Sequence, residues 1–294
     1  MLAILGPTAS GKTEVAIRVA ERLGAEILSV DSMQVYRDMD IGTAKPDVIE
    51  QRGIRHHMID VVDPESDFSV AEFRRQARLV IASADSPIII TGGSGLHFRA
   101  LVDPMSFAPT DTDLRSELEG VHLSDLVAEL IAADTAAGSE VDLANRRRVV
   151  RAVEILRLSG ETPSGRATTM EAEKLRDYRP EIDFTAIGLD AEDATETRVE
   201  RRLAQMKEDG LTDEVRGLLD RMGRTARGAV GYRELADHLE GNTSEDDAYR
   251  LSAGNTKKLA RRQRTWFRRD PRIRWIPWVE SVDERTERAL EALS

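Results

Sequence analysis

Residues 6–13 read GPTASGKT and fit the spacing G-x-x-x-x-G-K-[ST], with Gly6, Gly11, Lys12 and Thr13 in the required places. Pro7, Thr8, Ala9 and Ser10 fill the interval. The stretch sits between a short apolar run, Leu2 to Leu5, and a helical pattern carrying Val15, Val19 and Leu23 before Gly24. Each residue type has a physical reason. Glycines let the backbone curl so that successive N–H groups face an anion. A helix starting near Lys12 aims its positive end at the same point. The Lys12 ammonium can neutralise phosphate charge, and the Thr13 hydroxyl can ligate Mg²⁺. The loop predicts binding of a di- or triphosphate and leaves open whether the chain is a kinase, an NTPase or a transferase.

The strand–loop–helix unit predicts an α/β fold. Further strands are expected at Glu26 to Val30, Met58 to Val62, Pro87 to Thr91 and Phe184 to Leu189, separated by helical patterns. Such alternation implies a parallel sheet, of the P-loop NTPase-like kind, with helices on both faces. Residues 111–180 show helical periods at 123–126 and about 143–158 and no convincing strand, with 159–180 read as mixed and loop-like. They are assigned to a helical insertion, with 1–110 and 181–294 forming the core and a helical C-terminal region. No window approaches the length of a membrane span and no secretory signal is evident, so a cytoplasmic chain without membrane contact is expected. The chain has no cysteine, which excludes disulfides, thiolate metal sites and a cysteine nucleophile.

In open parallel sheets, ligands bind beyond the carboxyl ends of the strands. Asp31 follows the second strand and so stands beside the phosphate loop. It is read equally as a base accepting a proton from an attacking nucleophile or as a turn aspartate. Gly92-Gly93-Ser94-Gly95 follows another strand end, either for close ligand approach or simply as a turn. His56-His57 is assigned a structural role, because neighbours on an extended segment point to opposite sides and no third metal ligand is near.

The net charge of −11 and a pI near 5.1 argue against a polyanionic partner until charge is located. Residues 255–274 hold nine basic residues and one acid, or +8, so the remainder carries −19. A helix over about 245–268, opened by Ser244 and Asp247, places Leu259, Gln263, Trp266 and Phe267 on one side. Lys257, Lys258, Arg261, Arg262, Arg264 and Arg268 fall on the other. That density is a phosphate-backbone footprint. A second basic helix carries Arg146 to Arg148 and Arg151, opposite Val149, Val153 and Leu156, as a nucleic-acid surface or a solvated face.

GPTASGKT at 6–13, DSMQVYRDMDIGTAKP at 31–46, RHHMIDVVDP at 55–64, GGSGLHFRAL at 92–101, RRRVVRAVEI at 146–155, GYREL at 231–235 and KKLARRQRTWFRR at 257–269 together closely resemble bacterial tRNA dimethylallyltransferases, also called tRNA isopentenyltransferases. These prenylate the adenosine beside the anticodon, at position 37. The resemblance spans nearly the whole chain. It implies that the loop cradles the diphosphate of dimethylallyl diphosphate rather than ATP, with Thr13 helping to hold Mg²⁺. It also implies that Asp31 is the general base, and that Lys12, Ser94 and Arg202 join it at the reacting groups. It implies tRNA contacts from Asp31, Ser32, Met33, Gln34, Ser94, Arg115, Arg147, Arg148, Arg151, Gly231, Tyr232 and Arg233. The insertion and the basic patch, Lys257, Lys258, Arg261, Arg262 and Arg264 among it, would grip the anticodon stem-loop. A monomer is expected. The family usually has Thr where this chain has Ser94, and Tyr where it has His97. The competing classes are a P-loop small-molecule kinase and a prenyltransferase acting on free adenylate, neither of which has a use for the basic patch.

Overall fold

The computed structural model describes residues 1–293. Along the chain run β1 (Leu2–Leu5), α1 (Lys12–Leu23), β2 (Glu26–Ser29), β3 (His56–His57), α2 (Val70–Ser83), β4 (Ile88–Gly92) and α3 (Gly95–Val102). Then come α4 (Thr112–Gly120), α5 (Leu123–Ala133), α6 (Ala137–Glu140), α7 (Arg146–Ser159), α8 (Pro163–Ala167) and α9 (Met170–Arg176). The chain closes with β5 (Thr185–Gly188), α10 (Thr195–Glu208), α11 (Leu211–Leu218), α12 (Arg224–Arg227), α13 (Tyr232–Leu239), α14 (Glu245–Arg268), β6 (Ile273–Trp275) and α15 (Val282–Leu293).

The six strands form one sheet in the order β3-β2-β4-β1-β5-β6, every pairing parallel. Alternation along the strands serves two apolar layers. Ala3, Leu5, Leu28, Ile88, Ile90 and Ala186 point into one layer, where α2, α3, α11, α13 and α14 bring Phe73, Phe98, Leu211, Tyr232 and Phe267. Ile4, Ile27, Ile89 and Ile187 point into the other, against α1 and α15. The chain is thus an α/β fold with a parallel sheet covered on both faces. Register decides where the site falls: Leu5 lies opposite Gly92 and Ser29 opposite Thr91. Three neighbouring strands therefore end together, delivering the phosphate loop, Asp31 and the 92–95 turn to one edge.

Asp103–Glu181 forms a separate compact unit, beginning before the expected boundary at 111. It is all helical and has its own core of Leu118, Leu126, Leu130, Val149 and Val153.

Three local expectations are corrected. Met58 to Val62 is not a strand, because Met58 and Asp60 adopt positive φ, of 63° and 53°, which breaks an extended run. The pairing strand is instead the two-residue β3. Residues 159–180 contain α8 and α9, each started by a threonine whose hydroxyl accepts from a backbone N–H: Thr162 from Gly165 and Thr169 from Ala172. Finally, β6 joins the sheet beside β5, where Gly188 leaves room for the Trp275 ring; a Cβ there would lie 2.6 Å from it.

Candidate active site

The phosphate loop joins β1 to α1. Gly6 is fixed by packing, since a Cβ would lie 2.0 Å from the Leu189 carbonyl oxygen. Gly11 has φ of 81°, a left-handed conformation that glycine adopts without strain. Three loop carbonyls are held by side chains. Pro7 O accepts from the Lys12 ammonium at 3.3 Å, Ala9 O from Arg198 Nε at 2.7 Å and Ser10 O from Trp278 Nε1 at 2.9 Å. Thr8 N–H donates to Gln263 Oε1 at 2.8 Å, and Arg202 Nη1 donates to the Thr8 hydroxyl at 3.1 Å. Arg202, far away in the sequence, is thus brought onto the loop by α10.

Lys12, Thr13, Asp31, Met33, Gln34, His56, Thr91, Gly92, Arg202 and Gln263 all line one cavity of about 130 Å³, with Gly42, Thr43 and Ala44 in its wall. Burial pushes the Lys12 ammonium down to about 8; Asp31 opposes this and Arg202 reinforces it. Burial likewise lowers Arg202, again opposed by Asp31. Two cations and one carboxylate therefore share a poorly hydrated space, an arrangement that favours entry of further negative charge.

Asp31 makes the turn of one reading and also lines the cavity. Its Oδ1 accepts from Met33 N–H at 2.9 Å and from Gln34 N–H at 3.4 Å, a turn that fixes the carboxylate's direction. Gln34 lines the cavity with its amide committed: Ser29 Oγ donates to its Oε1, and its Nε2 donates to the carbonyls of Thr43 and Ala44. The same loop is held by Glu214, which accepts from the N–H groups of Asp40, Ile41 and Gly42. Lys45 pins it further to Asp40, Asp60 and the Tyr36 carbonyl. The 31–46 stretch thus builds a rigid wall.

The 92–95 glycines serve packing more than ligand approach. A Cβ on Gly93 would lie 2.6 Å from Gln263 and one on Gly95 2.1 Å from the Trp266 ring. Ser94 is not in the cavity wall. Its hydroxyl pairs with His97 Nδ1 at 2.7 Å. His97 is buried edge-on against Phe73, and burial lowers it to about 4, so it is neutral near pH 7. At the position where the family usually has tyrosine, this chain thus has a buried partner for Ser94.

His56 does more than the structural role expected of it, because it also lines the cavity. Its Nδ1 bonds the Ile54 carbonyl at 2.9 Å, and a carbonyl only accepts, so Nδ1 carries the proton. Nε2 is then an acceptor and is buried without a partner. His57 turns to the opposite side, to Glu26 at 2.6 Å. Strand alternation separates the two rings as expected; that one face of β3 meets the cavity depends on sheet order.

The residues expected to face tRNA divide. Gly231 and Tyr232 are buried; the Tyr232 hydroxyl donates to Glu214 and its ring packs on Gly42. Tyr232 is therefore a core residue, because α13 turns that side of the helix inward. Arg233 is exposed and paired with Glu234. In the helical unit, Arg115 and Arg151 are drawn onto the fully buried Glu154, at 2.6 and 2.7 Å. Arg147 and Arg148 are exposed and carry no ion pair among the described residues. On α14 the basic patch splits as well. Lys257, Arg261, Arg264 and Arg268 are paired with Glu200, Glu196, Asp190 and Glu192. Lys258, Arg262 and Arg269 are exposed on one side of the helix and make no ion pair with a described residue. Ser32 lies partly exposed next to Asp31.

No group of three or more His, Cys, Asp or Glu side chains able to hold a metal occurs among the described residues. Thr13 nevertheless lines the cavity beside Lys12, and its hydroxyl makes no hydrogen bond to a described residue. One hydroxyl with room for water suits Mg²⁺ held chiefly by diphosphate oxygens. No helix is long and apolar enough to cross a membrane among the described residues.

Residues 34–270 match the family model described as IPP transferase. The chain is 42% identical over 290 residues to a tRNA dimethylallyltransferase of Bifidobacterium longum, covering 94% of this chain and 86% of that one. It is 40% identical over 297 residues to that of Geobacter metallireducens, covering 96% and 94%. The structure matches the crystal structure of full-length tRNA isopentenylpyrophosphate transferase from Bacillus halodurans, with TM-score 0.71, 34% identity and coverage of 99% and 96%. It also shares its fold with a eukaryotic dimethylallyltransferase acting on tRNA, with TM-score 0.75 at 22% identity, covering 91% and 69%. With the phosphate loop, the Asp31 turn and Arg202 converging on one cavity, the chain belongs to the IPP transferase family of tRNA-modifying prenyl transferases.

Proposed function

We infer that this protein transfers the dimethylallyl group of dimethylallyl diphosphate to the exocyclic amine of the adenosine adjacent to the anticodon of tRNA, releasing diphosphate. The observation that carries this reading is that Asp31 lines the same cavity as Lys12, Thr13 and Arg202. A base and an anion cradle face a single space, as substitution at a carbon bearing a diphosphate requires.

The amine nitrogen forms a bond to the first carbon of the dimethylallyl group as the carbon–oxygen bond breaks. The bonding pair leaves with diphosphate, and the amine proton passes to Asp31. The turn to Met33 and Gln34 holds Asp31 Oδ1, so the carboxylate does not have to reorient. Charge growing on diphosphate meets the loop N–H groups, Lys12 and Arg202, whose poor hydration strengthens the attraction. Mg²⁺, held by Thr13 and diphosphate oxygens, would supply further neutralisation of that charge. The adenine is unpaired in its loop, so turning it into the cavity costs little stacking energy. The exposed cations Lys258, Arg262 and Arg269, with Arg147 and Arg148, supply phosphate contacts that a small-molecule kinase does not need. The chain acts as a monomer in the cytoplasm.

Nucleoside mass spectrometry of unmodified tRNA incubated with dimethylallyl diphosphate and Mg²⁺ tests the reading. N6-isopentenyladenosine is expected, with equimolar diphosphate. Modification of free adenylate at a comparable rate, or phosphate transfer from ATP in place of prenylation, would refute it.

A further inference from the structure

Behind the phosphate loop lies a second cationic layer that the proposed reaction does not use. Arg285, on α15, is 3% exposed, yet it makes no ion pair with a described residue. Its Nη1 donates to the Val279 carbonyl at 3.0 Å, and its Nε is buried without an acceptor. Its guanidinium lies over the Trp278 ring at 5.1 Å, and that of Arg198 lies over the same ring at 5.2 Å. Both reach the last glycine of the loop. A Cβ on Gly11 would stand 3.0 Å from Arg285 Nη2 and 3.4 Å from Arg198 Nη2.

This is an expensive arrangement for a folded chain. Two like charges are held together, and burial and Arg198 both disfavour the charged form of Arg285. The acids that favour it, Glu14 and Glu280, make their ion pairs with other arginines: Glu280 with Arg198 at 3.2 Å, and Glu14 with Arg18 at 3.2 Å. A buried charge without a partner costs stability unless something else neutralises it. The group next to it is the anion cradle. The same cluster also shapes that cradle, because Arg198 and Trp278 hold the carbonyls of Ala9 and Ser10. Fixing those carbonyls leaves the loop N–H groups other than those of Thr8 and Ser10, which donate to Gln263 and Pro7, available to a ligand.

We propose that Arg285, set by Trp278 and Arg198, is a positioning residue of the diphosphate site, holding behind the phosphate loop a positive charge that bound diphosphate neutralises. The proposal rests on the loop being the diphosphate site, as argued above. It assigns the C-terminal segment, which reaches the loop at Ser10 and Gly11, to handling of the prenyl donor. Because the guanidinium touches the loop and not the substrate, it acts on donor affinity and leaves the bond-making step alone.

The test uses the full-length protein, inorganic diphosphate with Mg²⁺ as calorimetric probe, and steady-state kinetics with tRNA. Arg285→Met keeps the bulk and removes the charge. It is expected to weaken diphosphate binding about tenfold, the effect of about 1.4 kcal/mol of lost electrostatic attraction. The donor KM should rise by a similar factor, with kcat and tRNA affinity unchanged. The free variant should melt no lower than the native protein, since an unpaired buried charge has gone. Arg285→Lys should recover most of the affinity. Trp278→Phe, which keeps an aromatic ring but drops the bond to Ser10, should raise the donor KM without altering tRNA affinity. Unchanged diphosphate affinity in Arg285→Met, with a lowered melting temperature, would overturn the proposal and show that the guanidinium only packs. If Met both melts lower and binds weaker, Lys decides: restored binding supports the charge, and binding as weak as Met overturns it. Failure of the native protein itself to bind diphosphate would remove the reading of the loop, and this proposal with it.

Discussion

The depressed Lys12 ammonium makes donor binding depend on pH in a direction that can be worked out. In the free protein it is held at about 8 against an ordinary 10.5, chiefly by burial. A diphosphate beside it supplies the missing counter-charge and returns it to at least its ordinary value. Below pH 8 the ammonium is present before and after binding, and this group adds no pH dependence. Above pH 8 the free protein must take up a proton in order to bind. Affinity should then fall about tenfold per pH unit, to a limit of about 3.4 kcal/mol if the full 2.5-unit difference is recovered. Stability of the free protein runs the other way. Folding lowers this lysine, so between about 8 and 10.5 the unfolded chain binds more protons and this contribution to stability rises with pH. The assay is isothermal calorimetry with diphosphate from pH 7 to 9.5, repeated in buffers of different ionisation enthalpy. At pH 9 about 0.9 proton should be taken up through Lys12 per ligand bound. Lys12→Met serves as the control that subtracts titration of the ligand itself. A native affinity no more pH-dependent than that of Lys12→Met would refute the reasoning.

Other substitutions separate roles that the site combines. Asp31→Asn retains an oxygen acceptor for the turn but cannot take a proton. Its kcat should fall about 10²-fold or more at unchanged melting temperature and tRNA affinity; near-normal turnover would exclude Asp31 as the base. Replacing Lys258, Arg262 and Arg269 by glutamine should weaken tRNA binding and flatten its logarithmic salt dependence by roughly one unit for each phosphate that is no longer neutralised. A salt slope equal to the native one would show that this side of α14 faces away from RNA. Arg264→Gln removes the closest cation from the buried Asp190 carboxylate, which keeps the Glu192 N–H and Arg268 at 3.9 Å, and should cost about 2 kcal/mol in denaturant unfolding. Tyr232→Phe should lose about 1 kcal/mol of stability with tRNA affinity intact, and a selective loss of tRNA binding would contradict its burial.

The sequence by itself determined whatever depends on neighbours along the chain. The phosphate loop was legible because its glycines, lysine and threonine act within eight residues of backbone between a strand and a helix. The start of α14 was legible because Ser244 caps its own helix, accepting from Asp247 N–H at 3.2 Å. Trp266 was placed inward by helical spacing, and it packs against Gly95. The Asp31 turn and its place at a strand end could both be named, since both are local. Tertiary structure alone decided which distant groups meet. Sheet order put one face of β3, and so His56, against the cavity. The packing of α10 carried Arg202 to Thr8, and with the segment before it set Glu196, Glu200, Asp190 and Glu192 against half of the basic face of α14. A helical wheel shows that those arginines share a side. It cannot show that acids from another part of the chain already neutralise them, because an ion pair is a property of two surfaces that meet. The burial of Tyr232 and the layer formed by Arg198, Trp278 and Arg285 have the same origin: segments without spacing in common, joined only by packing.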